Sequence, residues 1–185
     1  MAGGDVACLI MAPAVSSPAA LQRVAEILTP IAQAHGVAAL VGADTRIAAR
    51  VGADGVHIDT GIDDLRLAID AFRPKRIVGA GGVASRHDAM TAGELDPDYV
   101  FFGDLAADPA DAIPAATLEL AAWWSALTEV PGMIMGGDLA SVEHAATAGI
   151  EFVALGRAVW EDPRGPAAAV EDANRRLAAT VATTS

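Results

Sequence analysis

Short apolar runs alternate along the chain with longer segments in which apolar residues recur every three or four positions. The apolar runs predict seven β-strands, which start at Val6, Val37, Gly55, Arg76, Tyr99, Gly132 and Phe152. The amphipathic segments predict helices over residues 17–36, 45–52, 62–74, 85–94, 115–127, 139–149 and 166–181. Ser17 followed by Pro18 is typical of a helix start, and Gly36 is typical of a helix end.

Strands that alternate with helices, without hairpin signals between them, predict a parallel sheet covered by helices. Three segments repeat one pattern, a helix end, a turn with an acid, and a strand that ends near glycine: "VGADGVHI" from Val51, "LDPDYVFFG" from Leu95 and "AGIEFVALG" from Ala148. This recurrence favours an α/β barrel of the TIM (β/α)₈ type, with seven predicted strands in one domain over residues 1–185. A doubly wound open sheet is the alternative, because its turns share these features.

Composition and charge exclude several classes of partner. Hydrophobic residues make up 53% of the chain, but no uninterrupted apolar run reaches the ~18 residues that a membrane span needs. The formal charge of −12 argues against nucleic acid and anionic membranes, which attract clustered basic residues. The lone Cys8 and the lack of a secretory leader predict a cytoplasmic protein without disulfides.

Glycines follow the last two predicted strands, in "GMIMGG" and "FVALGR". Backbone without a Cβ can be approached closely, and a helix start beyond it offers unpaired N–H groups to an anion. The predicted phosphate-binding residues are Gly136, Gly137, Gly156, Arg157 and Ala158. For Arg157, an ion pair with Glu161 one helical turn later is an equal alternative.

His57 ends the third predicted strand, and Asp59 lies two residues later on the same side if the strand continues. Histidine oriented by a carboxylate is a common acid–base pair, so these two residues are the candidate catalytic groups. The alternative for His57 is a packed, hydrogen-bonded core histidine.

The segments "GADGVH", "DYVFFG" and "VPGMIMGGDLASVEHAATAGIEFVALGRAVW", with the "GDVACL" start, resemble the thiamine phosphate synthase family and its thiazole tautomerase relatives. The resemblance implies a (β/α)₈ barrel that joins a pyrimidine pyrophosphate to a thiazole phosphate with magnesium and releases pyrophosphate. It also implies that "GDVACLIMA" matches the family's second strand, so that the first β–α unit is expected to be absent, through truncation or in an open barrel. An open edge exposes unpaired backbone groups and predicts a homodimer.

Several polar and charged positions of the family pattern are occupied by other residue types in this chain. A Gln, an Arg and a Lys on the second strand correspond to Ile10, Ala12 and Ala14, and Asn-Asp-Arg after the third strand corresponds to residues 42–44. The loop over residues 104–114 has no lysine, where the family carries one. These replacements remove most of the groups that would hold pyrophosphate.

Acids follow several predicted strand ends, namely Asp44, Asp59, Asp63, Asp104 and Asp138. Two or three carboxylate oxygens suit magnesium, and the resemblance makes Asp44 and Asp63 the candidate ligands. For Asp44 and Asp138, helix capping is the alternative.

Three functions stay open on this basis. The first is a thiamine phosphate synthase. The second is a related isomerase or tautomerase that acts on a phosphorylated metabolite through His57 or an aspartate. The third is a non-catalytic barrel that binds a thiazole phosphate-like ligand or a partner subunit.

Overall fold

The computed structural model describes residues 5–12, 17–105 and 112–184. The strands are β1 (Cys8–Met11), β2 (Ala38–Gly42), β3 (Gly55–Ile58), β4 (Ile77–Val83), β5 (Tyr99–Phe102), β6 (Gly132–Gly136) and β7 (Phe152–Leu155). The helices are α1 (Pro18–Ala34), α2 (Thr45–Val51), α3 (Ile62–Phe72), α4 (Arg86–Gly93), α5 (Ala115–Leu127), α6 (Ser141–Thr147), α7 (Arg157–Trp160) and α8 (Pro166–Thr184). Every predicted strand and helix is present, and the four-residue α7 is an addition. No helix within these ranges is long and apolar enough to cross a membrane.

The seven strands form one parallel sheet in sequential order from β1 to β7. A doubly wound sheet reverses its strand order at the centre, so the sequential order excludes that alternative. The sheet curves into a half-barrel of the TIM type, as predicted. Across the described residues no pairing joins β7 to β1, which leaves an edge on each of these two strands.

The acid in each repeated turn segment forms a hydrogen bond at the amino end of the preceding strand. In each case a carboxylate that lies just before one strand accepts the N–H at or near the start of its neighbour. The bonds join Asp54 Oδ2 to Ala39 N (2.8 Å), Asp98 Oδ2 to Val78 N (2.7 Å) and Glu151 Oε2 to Gly132 N (2.8 Å). The repeated sequence pattern therefore corresponds to one repeated interaction, a carboxylate hydrogen bond that links adjacent strands at the bottom of the barrel.

Two apolar layers pack on opposite faces of the sheet. The outer layer lies between the sheet and the helices and contains Val41, Val56, Val78, Val100 and Ile134 among its buried residues. The inner layer fills the barrel with Leu40, Tyr99, Phe101, Met133 and Met135. The alternation along each strand, which sends neighbouring residues to opposite faces, explains why both layers form.

The fourth strand continues to Val83, three residues beyond its predicted end at Ala80, through a register shift. Its glycines leave room for large rings inside the barrel. A Cβ on Gly79 would lie 1.9 Å from Tyr99 Cζ, and a Cβ on Gly81 would lie 2.5 Å from His57 Nε2. Glycine at these two positions is therefore a steric requirement of the interior.

We expect Gly79→Ala to lower the free energy of unfolding by about 3 kcal/mol, because the new methyl group would overlap the Tyr99 ring. Urea titration followed by circular dichroism measures this change. The double variant Gly79→Ala/Tyr99→Ala should lose less than the sum of the two single losses, since removal of the ring relieves the overlap. A Gly79→Ala variant as stable as the wild type would contradict this account of the interior.

Candidate functional site

A cleft of about 640 Å³ opens at the carboxyl ends of β3 to β6 and extends to the start of α5. In barrels of this type, the carboxyl ends of the strands carry the active site. Phe101, Met135 and Leu120 form apolar walls, and Asp59 and Asp104 bring carboxylates to the lining. None of the described residues that line this cleft is a lysine or an arginine.

His57 lines the cleft but is only 1% exposed. Its Nδ1 lies 2.9 Å from the Tyr99 hydroxyl, and its ring meets the Phe101 ring in an edge contact with centroids 5.1 Å apart. Burial lowers the pKa of His57 to about 4, so the ring is neutral at physiological pH. His57 is therefore a packed, hydrogen-bonded histidine, and the partner at Nδ1 is Tyr99 rather than Asp59.

Sequence reasoning did not identify Tyr99 as part of the site. The residue lies 42 positions from His57 and at the start of β5, where an apolar strand residue is expected. The available signal is that Tyr99 is the only tyrosine of the chain, and its strand lies two strands from that of His57. Inside a narrow barrel, two large side chains at this separation can meet across the glycines of β4.

The two predicted magnesium ligands lie outside the cleft lining. Asp44 caps α2, and its Oδ1 accepts the Ile47 N–H at 2.9 Å, as the capping alternative predicts. Asp63 is exposed in the first turn of α3. The described residues contain no group of three or more His, Cys, Asp or Glu side chains suited to a metal ion. This donor set does not fit a preassembled magnesium site, and the assignment of Asp44 and Asp63 stays a prediction.

The glycine-containing ends of β6 and β7 meet around a second pocket of about 290 Å³. Gly137, Arg157 and Ala158 line it, so three of the five predicted phosphate-binding residues come together. Gly156 lies directly before α7, and the first N–H groups of that helix have no partner within the helix. Gly136 is buried, and a Cβ there would lie 2.7 Å from Ser141 Cβ. Close packing of α6 on β6 therefore accounts for Gly136 without a ligand.

Charges of both signs surround this second pocket. Arg157 Nη2 lies 3.0 Å from Glu161 Oε2, so the predicted i,i+4 ion pair forms. Asp138 Oδ1 accepts hydrogen bonds from the Ser141 hydroxyl at 2.7 Å and from the Ser141 N–H at 2.8 Å. Both bonds lower the pKa of Asp138, and the bond from the hydroxyl has the larger effect. Since Asp138 stays ionised, an anion in this pocket would depend on Arg157 and on backbone N–H groups.

The buried neutral His57 makes stability depend on pH. Its folded-state pKa of about 4 lies below the ordinary 6.5, so the unfolded chain binds the proton more readily. Stability is therefore complete above pH 6.5 and is lost as the pH falls towards 4. We expect the free energy of unfolding to fall by roughly 2 kcal/mol between about pH 7 and about pH 5, measured by urea titration.

His57→Gln should remove most of this decrease, and the exposed His87→Gln should retain it. The carboxyl groups with lowered pKa titrate below 3.8 and therefore outside this interval; they are Asp88, Asp138, Asp162 and Asp172. An equal slope in His57→Gln and the wild type would contradict the assignment.

Comparison with known proteins agrees with this architecture. The chain is 39% identical to the thiamine-phosphate synthase of Rhodospirillum centenum over 179 residues, which cover 93% of this chain and 84% of that relative. It is 38% identical to the thiamine-phosphate synthase of Hyphomonas neptunium over 84% of this chain and 71% of that relative.

Solved structures share the fold at low sequence identity. A thiamine phosphate pyrophosphorylase from Pyrococcus furiosus superposes with a TM-score of 0.77 at 19% identity, over 96% of this chain and 86% of that one. A 3-hexulose-6-phosphate synthase superposes with a TM-score of 0.66 at 19% identity, over 91% of this chain and 86% of that one. The family model described as thiamine monophosphate synthase matches residues 1–159. This chain therefore belongs to the thiamine monophosphate synthase family.

Proposed function

We propose that this protein binds a phosphorylated small molecule of the thiazole phosphate type, and that it has lost efficient pyrophosphate-releasing condensation. The observation that carries the proposal is that an arginine lines the second pocket, whereas no described lysine or arginine lines the larger cleft. The charged groups that line the larger cleft, within the described residues, are the carboxylates Asp59 and Asp104. The pocket at the β6 and β7 ends has Arg157 and backbone N–H groups, together with the carboxylates of Asp138, Glu161 and Asp162.

Binding of a phosphate is supported at the β6 and β7 ends. Gly137 allows the backbone to approach a ligand, and Arg157 supplies a guanidinium that pairs with an oxyanion. Glu161 competes for the same guanidinium at 3.0 Å, but both side chains are at least half exposed, so this ion pair is weak. A phosphate is therefore able to displace Glu161 from Arg157 at small cost.

Departure of pyrophosphate requires positive charge aimed at the leaving oxygens. Ile10, at a position where the family pattern has a polar side chain, packs against the apolar interior cluster. Asp44, at the last position of the family's Asn-Asp-Arg, caps a helix. Ala14 and residues 106–111 lie outside the described residues. The side chains at the described positions therefore pack in the interior or cap a helix, and they supply no positive charge to bind pyrophosphate.

A tautomerase-type or isomerase-type reaction is the second candidate, favoured by the presence of His57 and Asp59 on one cleft. The low pKa of His57 makes its ring a weak base. The exposed Asp59 carboxylate would then be the base, and His57 would donate a hydrogen bond to the substrate.

Calorimetric titration with thiazole phosphate and with inorganic phosphate tests the binding proposal. We expect both to bind the wild type, and Arg157→Ala to weaken both by roughly tenfold, because one charge-assisted hydrogen bond is lost. The control Arg66→Ala removes an exposed arginine from α3 and should leave both affinities unchanged. A wild-type protein that binds neither ligand would overturn the phosphate site.

An activity assay of the same purified proteins tests the second claim of the proposal, the loss of efficient pyrophosphate-releasing condensation. With both family substrates and magnesium present, pyrophosphate release should stay at the level of a protein-free blank. Sustained turnover by folded protein would show that the reaction survives, even if the phosphate pocket binds as proposed.

We further propose that a second copy of the chain covers the open sheet edges at β1 and β7. Unpaired edge strands promote association with other chains, and the side chains of β7 are partly or well exposed. Sedimentation velocity should give the mass of a dimer. A monodisperse monomer at micromolar concentration would contradict this assignment.

A further inference from the structure

We propose that Arg164 is a positioning residue of the second pocket: it holds the Asp162 carboxylate and cancels its charge, so that an anion can bind beside Arg157. This inference rests on the phosphate site proposed above and deepens it, because it identifies what allows an acidic pocket to accept an anion. Asp162 and Arg157 line the pocket, whereas Arg164 is not among its described lining residues.

The lining of the second pocket carries more negative than positive charge. Its described charged residues are one arginine, Arg157, and three acids, Asp138, Glu161 and Asp162. A carboxylate close to a bound anion weakens its binding, and the repulsion is strongest where water is excluded. A phosphate at this position therefore requires that the carboxylates be neutralised by groups other than the one that binds the ligand.

The three acids differ in what neutralises them. Asp138 accepts its hydrogen bonds from a serine, which has no charge. Glu161 pairs with Arg157, the same cation that a phosphate would use. Asp162 pairs with a second arginine, which lies outside the described lining. This second arginine reduces the negative charge of the pocket without occupying the place of the ligand.

Arg164 holds Asp162 through two parallel hydrogen bonds. Arg164 Nη2 lies 2.7 Å from Asp162 Oδ2, and Arg164 Nε lies 3.0 Å from Asp162 Oδ1. The Arg164 backbone N–H also donates to Oδ1, at 2.8 Å, and the Asp162 side chain is only 8% exposed. Bidentate pairs of this kind are stronger and better oriented than single hydrogen bonds. The side-chain bonds from Arg164 are the largest cause that lowers the pKa of Asp162 to about 2.

The local sequence Asp162-Pro163-Arg164-Gly165 explains this geometry. Aspartate, proline and glycine at the first, second and fourth positions are typical of a type I turn. The Gly165 N–H donates to the Asp162 carbonyl oxygen at 2.8 Å and closes the turn. Arg164 Nη2 also lies 3.2 Å from Asp172 Oδ2, so that α8 holds the guanidinium from its other side. The turn and the helix together keep the guanidinium on Asp162.

Calorimetric titration with inorganic phosphate tests this role on the wild type, Arg164→Gln, Asp162→Asn and the double variant. We expect Arg164→Gln to weaken binding by roughly fivefold to tenfold, because the Asp162 charge is then uncompensated beside the ligand. Asp162→Asn should bind at least as tightly as the wild type, and the double variant should bind within about twofold of Asp162→Asn. The control Arg175→Gln removes an arginine that pairs with Asp172 and should leave the affinity unchanged.

The four affinities separate charge compensation from two other roles of Arg164. If the pair only supported the turn, Asp162→Asn would also weaken phosphate binding, and that result would refute the inference. If Arg164 attracted phosphate directly, Arg164→Gln would weaken binding equally with and without the Asp162 charge, which would refute it as well. A wild type that binds no phosphate would refute the phosphate site itself. Unchanged binding by Arg164→Gln would refute this inference alone.

The charge pair is measured without ligand by ¹³C nuclear magnetic resonance of the Asp162 carboxyl group during a pH titration. We expect a pKa of about 2 in the wild type and a rise towards the ordinary 3.8 in Arg164→Gln, because the largest cause of the lowered value is then removed. Arg175→Gln should retain the low value. An Asp162 pKa that does not change in Arg164→Gln would contradict charge compensation, whatever the phosphate affinities are.

Discussion

The arrangement of the barrel interior depends on the contact between His57 and Tyr99. Both rings point inwards from strands on either side of β4, and they fit only because Gly79 and Gly81 have no side chains. The ring centroids lie 5.8 Å apart in near-parallel planes, and the hydroxyl reaches Nδ1. This contact therefore fills the interior and places the histidine at the base of the cleft, where burial keeps its ring neutral.

The lower end of the barrel is stabilised differently, by acids that precede strands. Asp54, Asp98 and Glu151 each accept the N–H of a residue at or near the start of the neighbouring strand. A strand's first N–H groups need partners that the parallel ladder does not always supply. Carboxylates at these positions satisfy them with short, charge-assisted hydrogen bonds. The bottom face is thus an organised polar edge, while the upper face is open to ligands.

The two pockets of the upper face differ in whether an arginine lines them. Arg157 lies with glycine backbone and three acidic residues at one pocket, and Asp59 and Asp104 are the charged residues among the described lining of the other. Membership of the thiamine monophosphate synthase family establishes the scaffold, but the chemistry of a site depends on the groups that line it. A second pocket with an arginine, beside a larger cleft that is apolar and acidic, favours the proposed binding of one phosphate over the expulsion of pyrophosphate.

The sequence by itself determined the elements other than α7 and their parallel arrangement, because hydrophobic periodicity and turn chemistry are local properties. It favoured the barrel, but the strand order of the tertiary structure excluded the doubly wound alternative. It also located the glycine ends of β6 and β7, and the repeated acids that precede the strands. The sequence did not determine the partner of His57, since a hydrogen bond across 42 residues depends on which strands curve towards each other. Local spacing suggested Asp59 instead.

Only the tertiary structure decided which of several similar residues share a pocket. Asp44, Asp59, Asp63 and Asp104 all follow strands, yet only Asp59 and Asp104 of these four line the cleft, because capping or helix position directs the other two elsewhere. Gly136 and Gly137 are adjacent in sequence, but one packs against Ser141 and the other lines the second pocket. Side-chain direction and helix packing distinguish these neighbours, and both are set by long-range contacts rather than by residue type.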